Sequence, residues 1–215
     1  MPNFALDPVR GVPAFRFAGH IPRIYVSHLP YHPMLFRKRP VIFLVRDPRD
    51  VIVSSYFHAA RHKHRFSGSI DAFVLDGKQG LPRLVDYLNG WAGALEARRD
   101  LIVSYEMLAA DPRAAVEEVL LFLGARVDQD AIRQAVEASS FATMREHEKV
   151  EGIPAHDYDL SDDESLRMRR GKTGGYVDYL SPEAIGLIDR YCAEKLTAAA
   201  KILLSRTGMD LRGRG

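Results

Sequence analysis

Only one cysteine, Cys192, occurs in the 215 residues. That excludes an internal disulfide framework and any cysteine-built zinc cluster, and it fits a reducing compartment, with the cytoplasm as the expected location. No apolar run reaches the roughly 18 residues of a membrane span, and the opening MPNFALDPVRGVPAFRFAG lacks the basic-then-apolar order of an export signal. Neither a membrane nor an anchor is expected. An excess of one charge is also lacking: 30 Lys and Arg stand against 28 Asp and Glu. No broad field therefore selects nucleic acid as a partner, and an anionic ligand has to be recognised locally. What remains is the composition of a soluble globular domain, with apolar residues enough for one substantial core.

Three short runs rich in apolar and β-branched residues, 23–27 (RIYVS), 41–45 (VIFLV) and 101–104 (LIVS), are continuous rather than alternating. That is the pattern of strands buried on both faces of a parallel sheet. Helices are expected between them. Asp47 can cap a helix that Pro48 opens and that runs to about Arg61, with Asp50 favouring its positive end. Leu84, Leu88, Trp91 and Leu95 form a helical stripe ending near Arg98 and Arg99. Asp111-Pro112 opens a third helix, with Val116, Val119, Leu120 and Leu123 facing inward and Gly124 as its stop, and a shorter helix follows over 130–138. Ser181-Pro182-Glu183 starts a last long helix through Leu196. The predicted class is α/β, a central parallel sheet flanked by helices in a single domain over 1–215, with 206–215 as a frayed basic tail. Residues 144–175 are polar, and a connection of that length is expected to be a lid or binding loop.

Ligands of open parallel sheets bind beyond the carboxyl ends of the strands. The residues that end the three predicted strands are His28, Arg46 and Tyr105. A general-base candidate, a guanidinium fork for oxyanions and an aromatic that can stack on a base are thus expected on one edge of the sheet.

At these residues the chain resembles a known family. YVSHLP (25–30), FLVRDPRDVIVSSYFH (43–58), VSYEMLAADPRAAVEEVLLFLG (103–124), SSFATM (139–144) and RMRRGKTGGY (167–176) stand in the order and spacing of sulfotransferases that use 3′-phosphoadenosine 5′-phosphosulfate (PAPS). The resemblance spans about 23–196 and implies a P-loop-NTPase-like fold. It implies that Arg46 and Ser54 bind the 3′-phosphate together with Arg169, Arg170 and the backbone of Gly171, and that Tyr105, Ser139, Ser140 and Phe141 contact the adenine. It further implies that His28 is the general base toward a hydroxyl or amine of a small-molecule or carbohydrate acceptor, without a metal. Val26 stands where cytosolic members carry a lysine. The family's opening strand, Pro-Lys-Ser-Gly-Thr-type phosphosulfate loop and helix have no counterpart in the first 22 residues. The expectation is a sequence incomplete at its start, with the N-terminal βα unit missing, rather than an enzyme that naturally lacks the loop. GKTGG at 171–175 mimics a Walker motif, but Leu166 stands where its first glycine belongs.

Plainer roles stand beside these. His28 can be an imidazole satisfied by local backbone near Pro30, Arg46-Asp47 a helix-capping ion pair, Ser54 a surface serine, and Arg169-Arg170 a solvated basic face. His58, His62 and His64 lack aligned carboxylates or cysteines, so no metal is expected. The rival function is a non-catalytic adenine-nucleotide-binding or interaction protein derived from the same fold. A kinase-like phosphoryl transferase is weaker, for want of a Walker loop.

Overall fold

The computed structural model describes residues 5–6, 13–15, 24–98, 100–152 and 159–211. Three short strands, β1 (Ala5–Leu6), β2 (Pro13–Phe15) and β3 (Ile24–Tyr25), form an antiparallel sheet in the order β1-β2-β3. This corrects the reading of 23–27 as a buried strand of the parallel sheet. β3 pairs antiparallel with β2, and Tyr25 and Val26 are 40% and 43% exposed. A run of apolar residues does not specify its partner, and here the partner is the preceding strand, in a sheet that leaves Tyr25 and Val26 open to water.

After the short helix α1 (Pro33–Phe36), β4 (Ile42–Val45) and β5 (Leu101–Ser104) supply the parallel sheet, in register from Ile42 opposite Leu101 to Val45 opposite Ser104. Between them run α2 (Pro48–Phe57), a π-helical turn over His58–His62, α3 (Ile70–Val74) and α4 (Leu81–Glu96). α2 starts as expected: the Asp47 carboxylate accepts from the Arg49 amide, and Pro48, which has no amide to satisfy, takes the first turn. On α4 the stripe that faces the core is Leu81, Val85, Leu88, Trp91, Ala92 and Leu95, with Leu84 at its half-buried margin.

Beyond β5 come α5 (Tyr105–Ala110), α6 (Pro112–Phe122), α7 (Gln129–Ala138) and α8 (Phe141–Glu151). On α6 only Ala115 is fully buried, and Val116, Val119 and Leu120 are half-buried, as is Leu123 just beyond it. Gly124 then turns the chain at φ +66. α8 occupies the start of the segment whose polarity suggested a loop. After a 3-10 turn over Gly175–Asp178, α9 (Pro182–Lys195) and α10 (Ala198–Ser205) close the core, the second capped by Thr197. Thr207, Met209 and Leu211 are buried, so 206–211 do not fray as expected. Every second residue there returns to the core, which local composition does not reveal, and 212–215 lie outside the described residues. Among the described residues no helix is long and apolar enough to cross a membrane.

Candidate active site

Arg46 and Tyr105 follow the carboxyl ends of β4 and β5, so the paired register of the two strands brings them together. The Arg46 guanidinium lies 4.0 Å from the centre of the Tyr105 ring, a cation–π contact. Its Nη2 is 3.3 Å from Asp50 Oδ2 and donates to the Lys172 carbonyl at 3.1 Å. Asp50 is buried and accepts from the amides of Gly174 and Tyr176 at 2.8 and 3.0 Å. One carboxylate one helical turn after Arg46 thus holds that guanidinium and also fastens the 172–176 turn to α2. Between the strand ends, Glu106 accepts from the Asp47 amide at 2.9 Å.

The opposite wall is built by α8 and the segment before the 3-10 turn. Ser140 caps α8 by accepting from Thr143 N, which sets Phe141 at its first position. Two charged residues of α8 then grip the 167–169 backbone. Arg145 donates to the carbonyls of Met168 and Arg169, both at 2.6 Å, and buried Glu148 accepts from the amides of Arg167 and Met168 at 2.7 and 2.8 Å. Gly171 sits at φ +62 against the Phe141 ring. The Arg169 guanidinium stacks 3.7 Å from the Phe57 ring centre, and burial lowers its pKa. Glu164 faces both arginines: its carboxylate is 3.7 Å from Arg169 Nε, beyond hydrogen-bond reach, and accepts from Arg170 Nη2 at 3.1 Å. Tyr179 Oη accepts from Arg170 Nε and donates to Glu164.

These walls enclose a cavity of about 680 Å³. Arg46, Ser54, Tyr105, Ser139, Ser140, Phe141, Arg169, Arg170 and Gly171, the nine residues singled out for the nucleotide, all line it. The buried Nε atoms of Arg46 and Arg169 have no hydrogen-bond partner among the described residues. Buried donors left so are costly unless something pairs with them. An anionic group in this cavity would meet that need, and the donor set of guanidiniums, hydroxyls and a glycine backbone suits a phosphate.

His28 stands elsewhere. It does not end a strand of the parallel sheet, so of the three strand-end candidates only Arg46 and Tyr105 share the sheet edge. Its segment is pinned from beneath: Trp91 Nε1 donates to the Leu29 carbonyl at 3.0 Å, and Ser27 Oγ accepts from Leu29 N. His28 is exposed and lines a second cavity of about 1150 Å³, which shares Ser54, Arg167 and Arg169 with the first. His58 and His62 also line it, and the two rings meet Nδ1 to Nδ1 at 3.3 Å. His62 Nε2 reaches the Ser165 carbonyl at 2.5 Å. Among the described residues no group of His, Cys, Asp and Glu is placed to hold a metal ion.

Sequence reasoning missed Asp50 as a clamp, and it missed Arg145 and Glu148 altogether. The first carried a signal, its four-residue spacing from Arg46. The other two sit in a charged stretch with no apolar rhythm to draw attention.

Comparisons with known proteins bear on the family and the fold. The chain is 29% identical over 184 residues to Sulfotransferase 2A1 of Macaca fascicularis, covering 82% of this chain and 64% of that protein. It is 30% identical over 183 residues to 3-beta-hydroxysteroid sulfotransferase of Cavia porcellus, covering 81% and 63%. The chain thus spans a little under two thirds of the length of these relatives. Among solved structures, mouse sulfotransferase SULT7A1 complexed with PAP superposes with TM-score 0.60 at 23% identity, over 77% of this chain and 62% of that one. Retinol dehydratase in complex with androsterone and the inactive cofactor PAP gives 0.61 at 23%, over 85% and 53%. These two likenesses establish a shared fold. The family model described as "Sulfotransferase domain" matches residues 13–199, and by that match the chain belongs to the sulfotransferase family.

Proposed function

We propose that this protein transfers a sulfuryl group from PAPS to a hydroxyl or amine of a small-molecule or carbohydrate acceptor. The observation that carries the reading is the convergence on one cavity of the nine residues that the resemblance assigns to the nucleotide. In this reading Arg46, Ser54, Arg169, Arg170 and the Gly171 backbone bind the 3′-phosphate, while Tyr105, Ser139, Ser140 and Phe141 surround the adenine. Bound PAPS supplies an electrophilic sulfur attached to a phosphate leaving group.

The second cavity receives the acceptor, and His28 takes its proton. The bond from the acceptor oxygen or nitrogen to sulfur forms as the bond from sulfur to the 5′-phosphate oxygen breaks, and adenosine 3′,5′-bisphosphate departs with the electron pair. Ser54, Arg167 and Arg169 line both cavities. The two cavities therefore adjoin. An alcohol acceptor is supported by the Cavia porcellus relative, which is named for a hydroxysteroid. The single thiol, Cys192, is buried and unpaired, in keeping with a cytoplasmic protein.

Calorimetric titration with adenosine 3′,5′-bisphosphate tests the reading. Micromolar binding, about −8 kcal/mol, is expected, with Arg46→Ala abolishing it. His28→Ala should retain binding and lose sulfate transfer from labelled PAPS. A folded chain that does not bind the bisphosphate overturns the proposal. Binding with no transfer to any alcohol or amine would leave a nucleotide-binding module.

A further inference from the structure

The second cavity has an unusual wall. Of the 14 residues lining it, six are Lys63, Arg65, Lys78, Arg83, Arg167 and Arg169, none is Asp or Glu, and only Phe57 and Leu166 are apolar. The chain as a whole is almost balanced, 30 basic residues to 28 acidic. The cationic wall is therefore a local concentration and not a share of a general surplus.

Its members arrive from separate places in the chain. Lys63 and Arg65 follow the π-helical turn, Lys78 precedes α4, and Arg83 lies in the first turn of α4. Lys63, Arg65, Lys78 and Arg83 are exposed and form no ion pair among the described residues. The carboxylate nearest in sequence to Lys78, that of Asp76, accepts from the backbone amides of Lys78 and Gln79.

Small-molecule sites are ordinarily lined by apolar and aromatic side chains with a few polar groups. A neutral, rigid, apolar alcohol would find two apolar side chains here and would leave four cations without a partner. We infer that the acceptor is itself an anion: a molecule whose reacting hydroxyl or amine sits beside one or more carboxylate, sulfate or phosphate groups, as in an acidic sugar. The wall of Lys63, Arg65, Lys78 and Arg83 binds those groups and turns the reacting atom toward His28. The inference deepens the proposed function and rests on its assignment of the second cavity to the acceptor. Transfer adds a further negative charge to the acceptor, so the product also binds the wall, and added salt speeds its release.

The test uses the full chain with saturating adenosine 3′,5′-bisphosphate. It is titrated with glucose 6-sulfate, glucose 6-phosphate, glucuronate, glucose and androsterone at two salt concentrations. At least one of the three anionic sugars should bind tenfold or more tighter than glucose and androsterone, and lose that advantage at high salt. The double variants Lys63→Ala/Arg65→Ala and Lys78→Ala/Arg83→Ala should each weaken the anion at least tenfold. The affinity for the bisphosphate and the melting temperature should stay unchanged, because the four side chains are exposed and outside the first cavity. Equal binding of glucose or androsterone, or indifference of the anion to both double variants, overturns the inference. The titrations are repeated without the bisphosphate, so a failure of the nucleotide site is seen separately from a failure of the cationic wall.

Discussion

The Phe141 ring occupies the space that a side chain on Gly171 would need: a Cβ there would fall 2.1 Å from Phe141 Cδ2, with the backbone at φ +62. Gly171→Ala must therefore displace the ring or distort the 169–172 backbone. The strain of a non-glycine residue in that conformation is about 1–2 kcal/mol. The expected result is a melting temperature lower by roughly 2–8 °C together with much weaker binding of adenosine 3′,5′-bisphosphate. Unchanged binding would mean that the ring is not part of the nucleotide site.

Glu148 holds the amides of Arg167 and Met168 from below the site. Glu148→Gln keeps the shape but offers one oxygen in place of two, so at least one of those amides loses its acceptor at a cost of about 1–3 kcal/mol. Limited proteolysis should then cut near 167–170 faster than in the parent chain, and the affinity for the bisphosphate should fall, although Glu148 itself does not line the nucleotide cavity. Protection equal to the parent would show that Arg145 alone suffices to hold the segment.

Glu164 faces the two arginines proposed for the 3′-phosphate. A phosphate entering the site competes with that carboxylate, so Glu164→Gln should tighten binding of the bisphosphate. An exposed ion pair contributes about 0.2–1 kcal/mol, which corresponds to a roughly one-and-a-half- to fivefold lower Kd. Weaker binding in calorimetry would mean that Glu164 orients the arginines rather than competing for them.

Burial, reinforced by the nearby charges of Asp189 and Asp47, pushes the Cys192 thiol up to about 12 from an ordinary value of 9.0. The folded state thus favours the neutral thiol. Its contribution to stability is fully present below pH 9 and is lost as pH rises toward 12. Native chain at pH 8 should show no thiol reactive to a disulfide reagent, and unfolded chain one per molecule. Cys192→Ala should flatten the alkaline part of the stability curve. A native thiol that reacts at once would place Cys192 at the surface.

The parts of the site that were legible in the sequence are those whose chemistry is local. Asp47 and Pro48 announce the start of α2, and Asp111 and Pro112 that of α6. The apolar stripe of α4 faces the core as its spacing implies. Where a residue's role depends on what it pairs with or packs against, the signal was lost. The 23–27 run carries no mark of the strand it pairs with. Residues 144–151 are charged, and hydrophobic periodicity discounts them, yet Glu148 is buried there because it serves two backbone amides and not an apolar surface. The gap between His28 and Arg46 has the same origin: both end apolar runs, but one run is part of an antiparallel sheet and the other of the parallel one.

The molecule also carries its own optical probe. Trp91 is the only tryptophan, it is buried among Tyr31, Phe36, Phe43 and Tyr87, and its ring nitrogen is bonded to the backbone one residue beyond His28. The emission of a single indole in that setting reports on the packing around the Leu29 backbone. A shift in its wavelength or lifetime when an acceptor binds would record movement of the His28 segment in the unlabelled, unsubstituted protein, and stopped-flow mixing would time that movement against turnover.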